Sequence, residues 1–194
     1  MRRRAIAVFA AFSLPLAAAP ANADVVKKKR LHVRVGRTIV VVGHGAPATT
    51  TSLQLKRRGH WRTIDRDRTA SSGRFTLRDR MQRPLSAPAR VRVDGATTRV
   101  GQVNAYRLAN ASWYGPGLYG NKLGCGGRLT PGRLGVAHKS LPCGAKLTLR
   151  KGSRTVNVRV IDRGPYVGGR EFDLTEATAQ RLHFHGHGAI LTTR

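Results

Sequence analysis

Acidic side chains are scarce in this 194-residue chain: 9 Asp plus Glu face 36 Lys plus Arg, a formal charge of +27. That imbalance leaves an acidic partner, whether nucleic acid, anionic lipid or acidic wall polymer, and by itself says nothing about fold. Cysteine is limited to Cys125 and Cys143, with no C-x-x-C pair, so a metal site would lack its usual ligand spacing. Aromatic content is low at 6%, while 22 Gly and 9 Pro punctuate the chain, which argues against a helical bundle and for strands and turns. No uninterrupted apolar run reaches the roughly 20 residues of a membrane span.

What is present starts with an export signal over residues 1–23. Arg2, Arg3 and Arg4 precede an apolar run from Ala5 to Ala19, and Ala21, Asn22 and Ala23 form a cleavage-type triplet before Asp24. The alternative is a retained anchor, against which Ser13 and Pro15 interrupt the run. Export implies a secreted, extracellular or wall-associated protein without a stable membrane anchor, in an oxidising compartment. There the even cysteine count favours a Cys125–Cys143 disulfide over a nucleophilic thiol. The bridge would be worth about 3 kcal/mol in the chain-entropy model.

Residues 25–103 read as short strands in which apolar residues alternate with Arg or Lys, for example Leu31–Val35, Thr38–Val42, Ser52–Lys56, Arg74–Arg78 and Ala89–Val93. Roughly seven such strands suggest a small immunoglobulin-like β-sandwich. It holds no defensible catalytic grouping, and its excess of positive charge suits adhesion to anionic polymers. Residues 105–194 give strands at Leu108–Trp113, Leu134–Ala137, Ala145–Arg150, Thr155–Ile161 and Gly188–Thr192. One helix is predicted after Asp173, which with Glu176 makes an Asp variant of the capping box. Strands plus one short helix imply a small barrel, so the fold class is all-β.

Carboxyl groups in this second segment are limited to Asp162, Glu171, Asp173 and Glu176. Asp162 follows an apolar strand and precedes Arg-Gly-Pro, a strand end where side chains enter clefts. On spacing alone it could equally cap its own turn. His183, His185 and His187 alternate; on a strand they would share a face, and in a Gly-rich turn they would not.

Three ordered stretches carry a specific resemblance: Ala111-Ser-Trp-Tyr-Gly-Pro-Gly-Leu-Tyr-Gly-Asn121, Gly135-Val-Ala-His-Lys-Ser-Leu-Pro-Cys-Gly144, and Val160-Ile-Asp-Arg-Gly-Pro-Tyr166 with Arg170-Glu-Phe-Asp-Leu174. Together, over about residues 109–192, they resemble the rare lipoprotein A family of septal-ring lytic transglycosylases, in a secreted actinobacterial form, and more distantly the expansins. The resemblance implies a six-stranded double-psi β-barrel that acts on peptidoglycan glycan strands. The reaction implied is nonhydrolytic cleavage between MurNAc and GlcNAc to leave 1,6-anhydro ends, without a cofactor or metal. Because the nucleophile is the substrate's own C6 hydroxyl, one carboxyl could serve as acid and then base. Asp162 takes that role, His138 assists, and Tyr114, Trp113, Arg128, Arg163 and Tyr166 are candidate glycan contacts. A monomer is expected, with peptidoglycan and anionic wall polymers as partners and, given export, no nucleic acid. Two features pull the other way. Gly127 stands where the family often has a loop Glu, and Arg163 beside Asp162 would weaken a general acid. The runner-up is therefore a noncatalytic, expansin-like wall-binding or loosening protein.

Overall fold

The computed structural model describes residues 28–194; the export-signal reading lies outside the described residues. Eight strands build the first half: β1 Lys28–Arg30, β2 His32–Arg34, β3 Thr38–His44, β4 Thr50–Arg57, β5 His60–Arg68, β6 Arg74–Arg80, β7 Leu85–Val93 and β8 Ala96–Tyr114. One sheet has the order β1-β3-β6, and the other runs β5-β4-β7-β8, with β2 parallel to β8 on its far edge. Alternation explains the packing. Ile39 and Val41 of β3 and Phe75 and Leu77 of β6 face Leu53, Leu55, Val91 and Val103 across one core, while Arg74, Thr76 and Arg78 of β6 and the half-buried Val40 and Val42 of β3 point the other way.

Strand β8 runs without a break past the expected boundary near residue 104, and the buried cluster of the first half ends at Ala105 while that of the second begins at Ala109. The strand has 19 residues. Its first part pairs with β7, and from Arg107 onward it pairs with the last strand of the chain. No proline interrupts this stretch, and the one glycine, Gly101, takes a left-handed φ of +118° where the pairing with β7 slips by a residue. A bulge absorbs that slip without ending the strand.

The second half adds β9 Val136–His138, β10 Lys146–Lys151, β11 Arg154–Asp162, β12 Phe172–Thr175, helix α1 Glu176–Leu182 and β13 Gly188–Thr192. The order β12-β9-β11-β10-β13-β8 closes on itself because β12 also pairs in parallel with β8. Six strands thus form the double-psi barrel, filled by Val136, Leu149, Val160, Phe172, Leu174 and Ile190. The predicted capping box does not form. Asp173 lies inside β12, and the helix begins after Thr175, whose side chain makes no cap bond. Pairing of Phe172–Leu174 with both β8 and β9 keeps Asp173 extended.

Candidate active site

Strand β11 delivers Asp162. Val156, Val158 and Val160 are buried in the barrel, and beyond Val160 the parallel register with β9 shifts by one residue. Ile161 drops into a small cluster with Leu123 and Leu129, and Asp162 is left half-exposed. Its carboxylate accepts the Gly124 N–H (2.7 Å), the Arg163 N–H (2.8 Å) and the Tyr114 hydroxyl (3.2 Å). The Arg163 bond is the local turn that sequence alone would allow; the other two come from the distant Gly124 loop and from Tyr114 at the end of β8. A Cβ on Gly124 would sit 3.1 Å from Asp162 Oδ1 and 2.8 Å from Arg163 Cγ, so the close approach needs glycine.

The tertiary structure brings a second carboxyl to the same face. Asp162 pairs in register with Ala137 on β9, Ala137 with Asp173 on β12, and Asp173 with Ser112 on β8. Two strand spacings separate the carboxyl-bearing backbones, roughly 10 Å. Ser112 donates its hydroxyl to Asp173 Oδ1 at 2.7 Å. Burial raises the Asp173 pKa above the usual carboxylate range and the Asp162 charge adds to it, against the Ser112 bond and the Arg170 charge. Tyr114 joins the two: burial first, then the Asp162 charge and bond, then Asp173, push its phenol far up, so it remains a donor. Ser112 and Gly124 as site residues escape the sequence reading, and Asp173, one of its four carboxyls, is assigned there to a helix cap. A four-residue strand carries little periodic signal, and the Asp-x-x-Glu spacing favoured a cap.

His138 turns to Glu171. Its Nδ1 accepts the backbone N–H groups of Ser140 (3.1 Å) and Leu141 (3.0 Å), so the ring proton sits on Nε2, 3.6 Å from Glu171 Oε1. Burial lowers the His138 pKa despite the neighbouring Glu171, favouring the neutral ring. Arg107 grips both Glu171 oxygens, one at 2.8 Å, and this bond holds the Glu171 carboxyl below its ordinary range. The Arg163 guanidinium donates to the carbonyls of His138 (3.0 Å) and Leu141 (2.9 Å) and to Cys143 Sγ (2.8 Å). It ties down the His138 loop, and the hydrogen bond that Arg163 makes to Asp162 comes from its backbone.

Cys125 and Cys143 are disulfide-bonded, with Cα atoms 5.4 Å apart. Trp113 is 36% exposed. It lies on the opposite side of β8 from Tyr114, lining a hollow of about 230 Å³ with Glu176, Ala179 and Phe184. Tyr166 is 81% exposed. Arg128 donates to the Gly120 carbonyl at 2.6 Å, holding its own loop. Gly127 has a left-handed φ of +76°, so a Glu there would be strained as well as absent. His183 is the left-handed cap of α1, and His183, His185 and His187 all precede β13, so the shared-strand reading of the trio does not hold. Among the described residues no group of three His, Cys, Asp or Glu side chains could hold a metal ion.

The family described as lytic transglycolase matches residues 107–192. The barrel belongs to the RlpA-like family. Curated relatives include a probable endolytic peptidoglycan transglycosylase RlpA from Synechocystis, 34% identical over 57% of this chain and 38% of its own length. Its counterpart from Aquifex aeolicus is 43% identical over 44% of this chain and 38% of its own. The Neisseria meningitidis endolytic peptidoglycan transglycosylase RlpA is 40% identical over 42% and 35%. The chain spans well under half the length of these relatives. The first match covers 121 residues, so it reaches outside the 107–192 segment of the RlpA-like barrel.

Proposed function

We propose that this chain is a secreted, wall-acting lytic transglycosylase that cleaves the MurNAc–GlcNAc bond of peptidoglycan glycan and leaves a 1,6-anhydro end. The observation that carries the reading is the carboxyl pair in register, Asp162 and Asp173, flanking Tyr114 on one face of an RlpA-like barrel. The names of the relatives support the substrate class. In this reading Asp173, whose burial favours the neutral acid, protonates the glycosidic oxygen as its bond to C1 breaks. The C6 hydroxyl oxygen bonds to C1 and gives its proton to Asp162. The proton lost by one carboxyl equals the proton gained by the other, and solvent exchange restores both. His138, neutral and donating toward Glu171, acts as a positioning residue through the Arg107–Glu171 pair.

The test is mass spectrometry of products from purified sacculi and from denuded glycan. Asp162→Asn and Asp173→Asn are each expected to lower anhydro products by about 100-fold or more while sparing sacculus binding. Unchanged turnover in Asp162→Asn removes it as the base, and unchanged turnover in Asp173→Asn returns both proton steps to Asp162. The missing carboxylate at Gly127 favours a second reading, a noncatalytic expansin-like wall binder. Sacculus binding by the unaltered protein without anhydro products would decide for it.

A further inference from the structure

The outer face of the first-half sheet β5-β4-β7-β8 carries an arrangement that the barrel chemistry does not use. Register fixes two cross-strand rows on it: Arg66, Ser52, Arg92 and Thr97, and beside it Thr63, Gln54, Arg90 and Arg99. Lys56 lies on the same face opposite Trp61, and Arg68 opposite Thr50. Among the described residues, the acids of this half do not answer these charges. Asp67 and Asp65 turn away to accept the backbone N–H groups of Thr76 (2.7 Å) and Arg78 (2.6 Å), and Asp79 is on β6 in the other sheet. Of these described acids Asp94 alone reaches the rim, in the turn between β7 and β8, beside a shallow hollow of about 510 Å³ lined by Ser52, Gln54, Thr63, Arg66 and Arg92. Among the described residues no ion pair involves any of these cations. Arg90 and Arg99 are directly opposed, a like-charge pair that costs the sheet stability; Arg90 donates its Nε–H to Gln54 Oε1 at 2.7 Å, which leaves its charge without a counter-ion.

Which anion follows from the rest of the face. Five of its six cations are arginines, whose planar forks match phosphate oxygens in pairs. Two of them, Arg90 and Arg92, are spaced along β7 by about 6.8 Å, two residues of strand rise, which suits a repeating chain more than a single ion. The aromatic residue present is not free to stack: the Arg90 guanidinium lies 4.2 Å from the Trp61 ring centre and the Lys56 ammonium 6.0 Å. Sequence-tolerant single-strand nucleic-acid binding depends on such open rings.

We infer that this face binds a linear phosphodiester polymer of polyol type, along the rows of Arg66, Arg92, Arg90 and Arg99. The site is independent of the carboxyl pair in the barrel, so catalysis and this binding stand or fall separately.

Fluorescently labelled poly(glycerol phosphate) titrated with the full chain at low ionic strength tests it. Arg66→Gln, Arg92→Gln and Arg99→Gln together are expected to weaken binding about 30-fold or more and to flatten its salt dependence. Arg74→Gln, Arg78→Gln and Arg154→Gln together, with the same net charge, are expected to cost less than about 3-fold. Equal losses in the two triple variants overturn the proposal, since net charge alone would then suffice. Tighter binding of length-matched oligothymidylate or polygalacturonate by the unaltered chain overturns the phosphodiester polyol as the ligand. Arginine-directed labelling gives a readout on the unaltered protein: the polymer should protect Arg66, Arg92 and Arg99 and leave Arg74 and Arg78 reactive. The reverse pattern also overturns it.

Discussion

Burial and single hydrogen bonds oppose one another at the carboxyls of the barrel site. The Ser112 hydroxyl holds the Asp173 pKa down against the burial that raises it. Ser112→Ala is therefore expected to raise it further. A group needed in its acid form stops working as pH climbs through its pKa, so the alkaline limb of the kcat/KM profile should move to higher pH in this variant, with acid-side activity little changed. An unmoved limb would remove Asp173 as the proton donor. Glu171 has the opposite sign. Its folded-state pKa lies below the unfolded value, so the pair with Arg107 stabilises the fold above the unfolded pKa and is lost as pH falls through the folded one. Glu171→Gln should cost at most about 1 kcal/mol near neutral pH, because the pair is partly exposed. That difference should vanish in acid, as urea titrations across pH would record. Of these residues Asp162 was legible in the sequence from its place at a strand end, whereas Ser112 and Asp173 became a pair through register between strands 61 positions apart.

Among the elements, the disulfide decides how the Asp162 loop is held. Cys125 follows the Gly124 N–H that reaches Asp162, its own N–H bonds the Ile161 carbonyl, and Cys143 accepts from Arg163. The bridge therefore joins two loops that both touch the end of β11. Replacing both cysteines by alanine is expected to lower stability by about 2–5 kcal/mol. It should also lower turnover on soluble glycan, since the Gly124 loop loses its tether. A variant with wild-type activity at a temperature where it stays folded would show that the loop is held without the bridge. The even cysteine count made the pairing legible, but the proximity of the bridge to Asp162 was not, because it depends on where two glycine-rich loops fold back. The helix shows the converse: its residues were recognised from propensity, yet its start was misplaced because cross-strand pairing outweighed a local cap.

Across the whole molecule, the two cores are joined by β8 and by Tyr106 at its middle. Tyr106 is 1% exposed. Its carbonyl accepts the Val35 N–H at 2.8 Å, His32 Nδ1 lies 3.4 Å from its hydroxyl, and Arg150 of β10 sits over its ring at 6.0 Å. The first half and the barrel thus share one buried aromatic. Tyr106→Ala is expected to cost about 3–5 kcal/mol, the range for removing a large buried aromatic. It should also split one calorimetric transition into two. A single transition at wild-type temperature would show that the halves are coupled through the β8 backbone alone.

Composition and periodicity by themselves determined the all-β class, the basic outer faces of the strands, the bond between Cys125 and Cys143 and the short list of carboxyls from which a site could be built. These follow from local physics: alternation sorts each strand into a buried and a solvated face, and the shortage of acids narrows the chemistry without reference to fold. Tertiary structure alone decided that β8 runs unbroken through both halves, that His138 faces Glu171, that the Arg163 guanidinium turns away from Asp162, and that Asp173 joins Asp162 across β9. Each of these depends on which strands become neighbours when the barrel closes. A shift of one residue in that register would turn Asp173 to the opposite face, and nothing within the four residues of β12 fixes its alignment with β8 and β9.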